Sequence, residues 1–195
     1  MLKPQDQRKK FGSVGTPVLG FEIKIIDEKG NECSPNVAGE IAGYGAGMMK
    51  EYYREVELTN SLIWSDNRGR SFIKSGDIGS LDEDGFLTIL DRKKDMIISG
   101  GLNVFPVDIE EVVGKHPDID DVTVIGVPHE KWGETCVALI IPKDGIEIDC
   151  DEIKNWSNEK LAKHQRLYKV ETRAEFPRNA LGKVLKRVLR EPYWS

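Results

Sequence analysis

Four short segments of this 195-residue chain carry side chains able to do chemistry. The first is Phe176-Pro177-Arg178-Asn179-Ala180-Leu181-Gly182-Lys183-Val184-Leu185-Lys186-Arg187, where a lysine follows a glycine on a basic stretch. An ammonium placed there is a mobile point charge suited to developing phosphate charge, and a plain surface lysine has the same signature. The second is Ser75-Gly76-Asp77, at the close of an extended run. A carboxylate beside a glycine, which lets a ligand approach closely, suits a ribose diol; an ordinary turn aspartate reads alike. The third is Asp91-Arg92-Lys93-Lys94-Asp95-Met96-Ile97-Ile98, in which Arg92 suits a phosphate or a ribose, or belongs to a solvated linker. The fourth is Ser99-Gly100-Gly101, shortly before Pro106. Paired glycines expose backbone N–H groups and let a thin substrate pass, or they make a tight turn before a helix.

The elements that must position these segments follow from periodicity. Phe21-Glu22-Ile23-Lys24-Ile25 alternates as a strand does, and Glu28-Lys29-Gly30-Asn31 is a turn. Residues 38–42 read as a second strand. Gly43-Tyr44-Gly45-Ala46-Gly47 lacks the spacing of a dinucleotide or phosphate loop and reads as a turn or bulge. A helix is expected near 55–61, extended pieces at 71–74 and from Leu81, a turn at Asp82-Glu83-Asp84-Gly85, and a strand at 86–90. The charged run Asp91 to Asp95 is the candidate domain boundary. Beyond it come a strand at 96–98, a helix opened by Pro106 with Ile109, Val112 and Val113 as its stripe, and β-rich runs at 122–127 and 136–141. A helix at 151–161, an extended piece at 168–176 and a helix at 182–190 complete the chain. The fold class is α+β: a short-stranded, β-rich subdomain followed by a small α+β domain.

Composition narrows the function classes. The chain is 39% hydrophobic and 31% charged with net charge −5. That excludes a disordered chain, a collagen-like repeat and a disulfide miniprotein. No apolar run approaches the roughly 20 residues of a membrane helix. The first ten residues carry charge without an apolar stretch, so no signal peptide is read and a soluble, cytoplasmic protein is expected. Cys33, Cys136 and Cys150 are far apart and read as reduced thiols, and His116, His129 and His164 are scattered, so no metal site is expected. Charge is uneven: residues 160–190 hold ten Lys and Arg against two acids, a segment of +8 on a body of −13. It is a solvated basic face or a surface for a polyanion: nucleotide, coenzyme A phosphates or nucleic acid. Nucleic acid is the poorest fit, because aromatics are not interleaved and no such motif occurs.

In this order, the four segments resemble the adenylate-forming acyl-CoA synthetase superfamily of AMP-binding enzymes, which includes luciferases and peptide-synthetase adenylation domains. The resemblance runs from about Gly12 to Arg190. Gly12-Ser13-Val14-Gly15-Thr16-Pro17, Gly20, Gly39-Glu40-Ile41, Met48-Met49, Tyr52-Tyr53 and Thr59 are similar to the last subdomain of that family's large domain. The Pro-Arg-Asn-Ala-Leu-Gly-Lys run ending at Lys183 is the most specific part. The resemblance implies that Asp77 binds the ribose hydroxyls of ATP or the adenylate and that Arg92 also contacts the nucleotide. It implies that Lys94 is a hinge and that Ser99, Gly100 and Gly101 line the path of coenzyme A's pantetheine. Lys183 matches the lysine required for adenylation. ATP, Mg2+, coenzyme A and a carboxylic acid are the implied reactants, and fatty, aromatic and short-chain acids all remain open. Ser75 stands where threonine is usual and Asp91 where glycine is common; Lys94 is closer to the ligase and luciferase branches.

The family's phosphate loop and its Tyr-Gly-x-Thr-Glu segment do not occur in this sequence. The expected organisation is therefore 1–91 as the end of a large N-terminal AMP-binding domain and 92–195 as the mobile C-terminal domain. A missing N-terminal domain would leave this chain alone inactive. The alternatives are a non-catalytic module that docks to a separate large domain, and an adenylation domain serving a carrier protein.

Overall fold

The alternation read from Phe21 onward folds as β1 (Phe21–Ile26) in the computed structural model, which describes residues 1–194. Its partners are β2 (Gly39–Gly45), the long β4 (Ser71–Leu81) and β3 (Ile63–Ser65), in the order β1-β2-β4-β3; β5 (Leu87–Arg92) also pairs with β4. All these pairings are antiparallel. Helix α1 (Val56–Leu62) precedes β3. Neighbouring residues of a strand point to opposite faces, and here both faces are filled. Ile25, Ile41 and Leu87 pack on one, and Ile26, Ala42 and Phe72 on the other. These elements form one compact unit, Met1–Lys94.

A second compact unit begins at Asp95. Its sheet runs β10-β9-β6-β7, with β8 also paired to β9. The strands are β6 (Ile97–Ser99), β7 (Leu102–Val104), β8 (Ile119–His129), β9 (Gly133–Pro142) and β10 (Leu167–Thr172). Strand β10 lies parallel to β9, and the other pairs are antiparallel. Helix α2 (Pro106–Val113) starts at proline as expected, because an N1 residue needs no N–H partner. Helix α3 (Cys150–Asn158) is capped by Asp149, whose carboxylate accepts from the Asp151 and Glu152 amides. Ile109, Val113 and Ile153 pack with Val124, Ala138 and Ile140 on one face of the sheet. The opposite face buries Ile125, Val127, Val137, Leu139 and Phe176 against Val184 and Leu189. Helix α4 (Lys186–Arg190) follows. The expected α+β class holds: a strand-rich first unit and a mixed second one.

Three local expectations change. Gly43 and Gly45 belong to β2 rather than to a turn, because Gly45 stands opposite Phe21, whose ring would meet a Cβ there at 2.6 Å. Ser75-Gly76-Asp77 lies inside β4 and does not end it. The helix expected over 182–190 starts only at Lys186, because Gly182 has φ +81° and Val184 bridges Arg178. Strand β7 was not anticipated from sequence.

Candidate functional site

Strand β4 changes its neighbour along one edge. Residues 71–73 pair with β3, and Asp77 to Leu81 pair with β5. On the other edge, β2 pairs Glu40 with Ile78 and Ala42 with Lys74, which leaves three residues of β4 opposite one of β2. The surplus bows out as a bulge, and Gly76 takes φ +75°, a conformation that a side chain disfavours. Ser75 Oγ accepts from the Asp77 amide at 3.0 Å. On the β5 edge a one-residue shift at Leu90 puts Asp77 opposite Arg92, with Arg92 Nε 2.8 Å from Asp77 Oδ1. Both side chains reach solvent. The carboxylate keeps lone pairs, and the guanidinium keeps N–H donors, for a ligand.

Lys93 and Asp95, which flank Lys94, are each held within their own unit. Lys93 donates its amide to Gly76 O at 2.9 Å, and its ammonium pairs with the nearly buried Glu40 at 2.8 Å. Asp95 pairs with Arg190 of α4. Lys94 itself is exposed and is the last residue of the first unit.

Ser99, Gly100 and Gly101 form the tip of the β6–β7 hairpin, with Ser99 opposite Leu102. Gly100 and Gly101 have φ +59° and +80°. Gly100 donates its amide to Trp132 O at 2.8 Å, and a Cβ on Gly100 would lie 3.0 Å from the Trp132 ring. Lys131 sits over that ring at 4.6 Å. Glu134 accepts from the Ile98 amide at 3.0 Å and steadies the strand leading to the turn.

Lys183 is exposed on a loop organised by Asn179. Asn179 Oδ1 accepts from the amides of Leu181 and Lys183, both at 3.0 Å, and Asn179 N donates to Lys183 O at 2.9 Å. Arg178 donates to Gly182 O at 2.7 Å and pairs with Asp121 of β8. Lys186 Nζ lies 2.7 Å from Glu110 of α2. Other cations nearby also hold carboxylates: Lys169 and Arg173 on Glu171, Arg187 on Glu191, and Arg190 on Asp95. Lys183 has no carboxylate in ion-pair range among the described residues.

Comparison with known proteins adds the decisive observation. Residues 1–53 match the model of the AMP-binding enzyme family, and residues 108–183 match that of the AMP-binding enzyme C-terminal domain. The chain belongs to the AMP-binding enzyme family. Curated relatives include CoA ligases for several different acids. The 2-succinylbenzoate–CoA ligase of Geobacillus kaustophilus is 41% identical over 97% of this chain and 37% of the relative. ATP-bound MatB from Rhodopseudomonas palustris superposes with TM-score 0.84 at 37% identity, over 93% of this chain and 36% of that one. The o-succinylbenzoate CoA synthetase MenE of Bacillus subtilis, in complex with its acyl-adenylate intermediate, gives 0.84 at 35% identity over 96% and 37%. The chain thus spans a little over a third of the length of these relatives.

Within this chain, the expected site residues fall in two groups. Asp77 and Arg92 meet in the first unit, whereas Ser99, Gly100, Gly101 and Lys183 belong to the second. Sequence reasoning gave no role to Glu40, Glu110 and Trp132, which act on distant parts of the chain. Asn179 had a signal, because Asn three residues before Gly marks a side-chain-closed turn. Among the described residues, no group of three or more His, Cys, Asp or Glu converges as a metal site. No helix among them is long and apolar enough to cross a membrane. The three cysteines are free, and burial pushes the Cys136 thiol up to about 12, with Glu134 adding to the effect.

Proposed function

We propose that the chain is the C-terminal part of an ATP-dependent acyl-CoA synthetase. Residues 1–91 close the large AMP-binding domain, and 92–195 form its mobile C-terminal domain. In the whole enzyme, an oxygen of the substrate carboxylate attacks the α-phosphorus of ATP, and the bond to pyrophosphate breaks. The thiol of coenzyme A then attacks the acyl carbon, loses its proton and displaces AMP.

One observation carries this reading: Lys183 presents an ammonium with no carboxylate in ion-pair range among the described residues, on a loop whose other cations are already engaged. Two anions must meet in the first step, and a fixed positive charge between them offsets their repulsion. Asp77 is assigned to the ribose hydroxyls and Arg92 to the nucleotide. Lys94 is the hinge, and Ser99, Gly100 and Gly101 border the pantetheine path, so that two orientations of one domain serve two steps. Magnesium would arrive with the nucleotide and offset charge on its phosphates, an ion that takes one or two carboxylates and keeps several waters. No step above runs through it. Free thiols fit a reducing, cytoplasmic setting.

The test uses the polypeptide extended upstream to the length of its relatives. Lys183→Ala should abolish carboxylate-dependent ATP–pyrophosphate exchange and spare thioester formation from a synthetic acyl-adenylate. Survival of exchange would overturn the role of Lys183. Robust exchange by the 195-residue chain alone would overturn the partial-enzyme reading.

A further inference from the structure

We infer that Glu110 and Lys186 are a positioning pair that fixes where Lys183 presents its ammonium; the inference rests on the role proposed for Lys183 above. Glu110 is itself fixed before Lys186 reaches it. Its Oε1 accepts from the Val124 amide at 2.7 Å and from Thr123 Oγ1 at 3.2 Å, which ties α2 to β8. Lys186 Nζ adds a third donor at 2.7 Å, from 76 residues away in sequence. The two side chains are 21% and 15% exposed, so water competes little for the pair.

The location of the pair gives it leverage. Lys186 is the first residue of α4, three positions after Lys183. That helix has five residues and no side-chain N-cap, too few to define its own start. Its start is set from outside, by Lys186 on Glu110 and by Val184 and Leu189 on the sheet. The other flank of the loop is tied to the same strand β8 through Arg178 and Asp121. The Lys183 backbone is therefore spanned between two anchors, with Asn179 closing the turn. A partly buried ion pair contributes little net stability over an apolar substitute, so what this one supplies is direction. A displacement of about 1 Å at a reacting group can cost about a hundredfold in rate.

The test compares Lys186→Met, Glu110→Gln, Lys186→Arg and Lys183→Ala in the upstream-extended enzyme, with the two half-reactions assayed separately. Lys186→Met and Glu110→Gln should lower kcat for adenylation about 10- to 100-fold, with KM for ATP within about twofold, and leave thioester formation from acyl-adenylate unchanged. Lys186→Arg should restore most of the rate, because it keeps the charge and reach. A wild-type adenylation rate in Lys186→Met, or a loss that Lys186→Arg does not rescue, overturns the inference. Adenylation surviving in Lys183→Ala overturns the underlying reading instead, and the inference with it. Hydrogen exchange on the 195-residue chain separates positioning from stability. In Lys186→Met, protection should fall at Lys183 and Leu185 and persist in β8 and β9. Loss of protection across β8 and β9 would make the pair structural and overturn the proposal.

Discussion

Arg92 Nε lies 2.8 Å from Asp77 Oδ1, across a register pair that a one-residue shift at Leu90 of β5 brings into line. The two residues assigned to the nucleotide thus preorganise each other. The pair is open to solvent and contributes at most about 1 kcal/mol to folding. Asp77→Asn should therefore leave the melting temperature of the 195-residue chain within about 4 °C of wild type. A charge-assisted hydrogen bond to a ligand is worth about 1.5–3 kcal/mol, so the same change should raise KM for ATP about 10- to 100-fold in the extended enzyme. Unchanged ATP dependence in steady-state kinetics would remove Asp77 from the site.

The turn at Gly100 makes a prediction of opposite selectivity. Its φ of +59° strains any side chain, and an added methyl would press on the Trp132 ring at 3.0 Å. Gly100→Ala should cost about 1–3 kcal/mol by denaturant melts. Stopped assays of each half-reaction should find thioester formation slowed at least tenfold and adenylation nearly intact. An equal loss in both steps would detach the hairpin from the pantetheine path.

Acid sensitivity centres on Glu171. Burial raises its pKa, but hydrogen bonds from Lys169, Tyr193 and Arg173 outweigh that and hold the carboxyl at about 2 against an ordinary value of 4.5. The folded pKa is depressed, so its stabilisation is complete above about pH 4.5 and is lost as pH falls towards 2. Allowing for partial exposure, that contribution is about 1–3 kcal/mol. Glu171→Gln should lower unfolding free energy by that amount at pH 7, and its curve should converge on wild type between pH 4.5 and 2. A gap constant over that range would mean that the carboxylate charge does not contribute.

What could be read in the sequence was local. Alternation marked β1, Pro106 marked the start of α2, and glycine beside a charged residue marked Asp77 and Lys183. The glycine signal failed where the reason for glycine lay on another strand. Gly45 makes room for the Phe21 ring across the ladder, which looks like a turn until the pairing is known. The bulge at Gly76 resembled a strand end because only the change of partner from β3 to β5 explains the continuation. Leu102-Asn103-Val104 is too short to show any period. The supporting residues were hidden for the same reason: Glu40 serves Lys93 from 53 positions away, and Glu110 serves Lys186 from 76.

The internal ion pairs of the C-terminal stretch also change how its charge is felt at a distance. By composition, residues 160–190 are a strongly cationic strip. Five carboxylates of this unit hold six of the strip's ten cations, with Lys169 and Arg173 sharing Glu171, which leaves separated charges: Lys160, Lys163 and Arg166 towards one end and Lys183 towards the other. The strip is a poor track for a long polyanion, which would need many free cations in a row. At the Lys183 end, where Arg178 and Lys186 are held by Asp121 and Glu110, an anion meets a single ammonium.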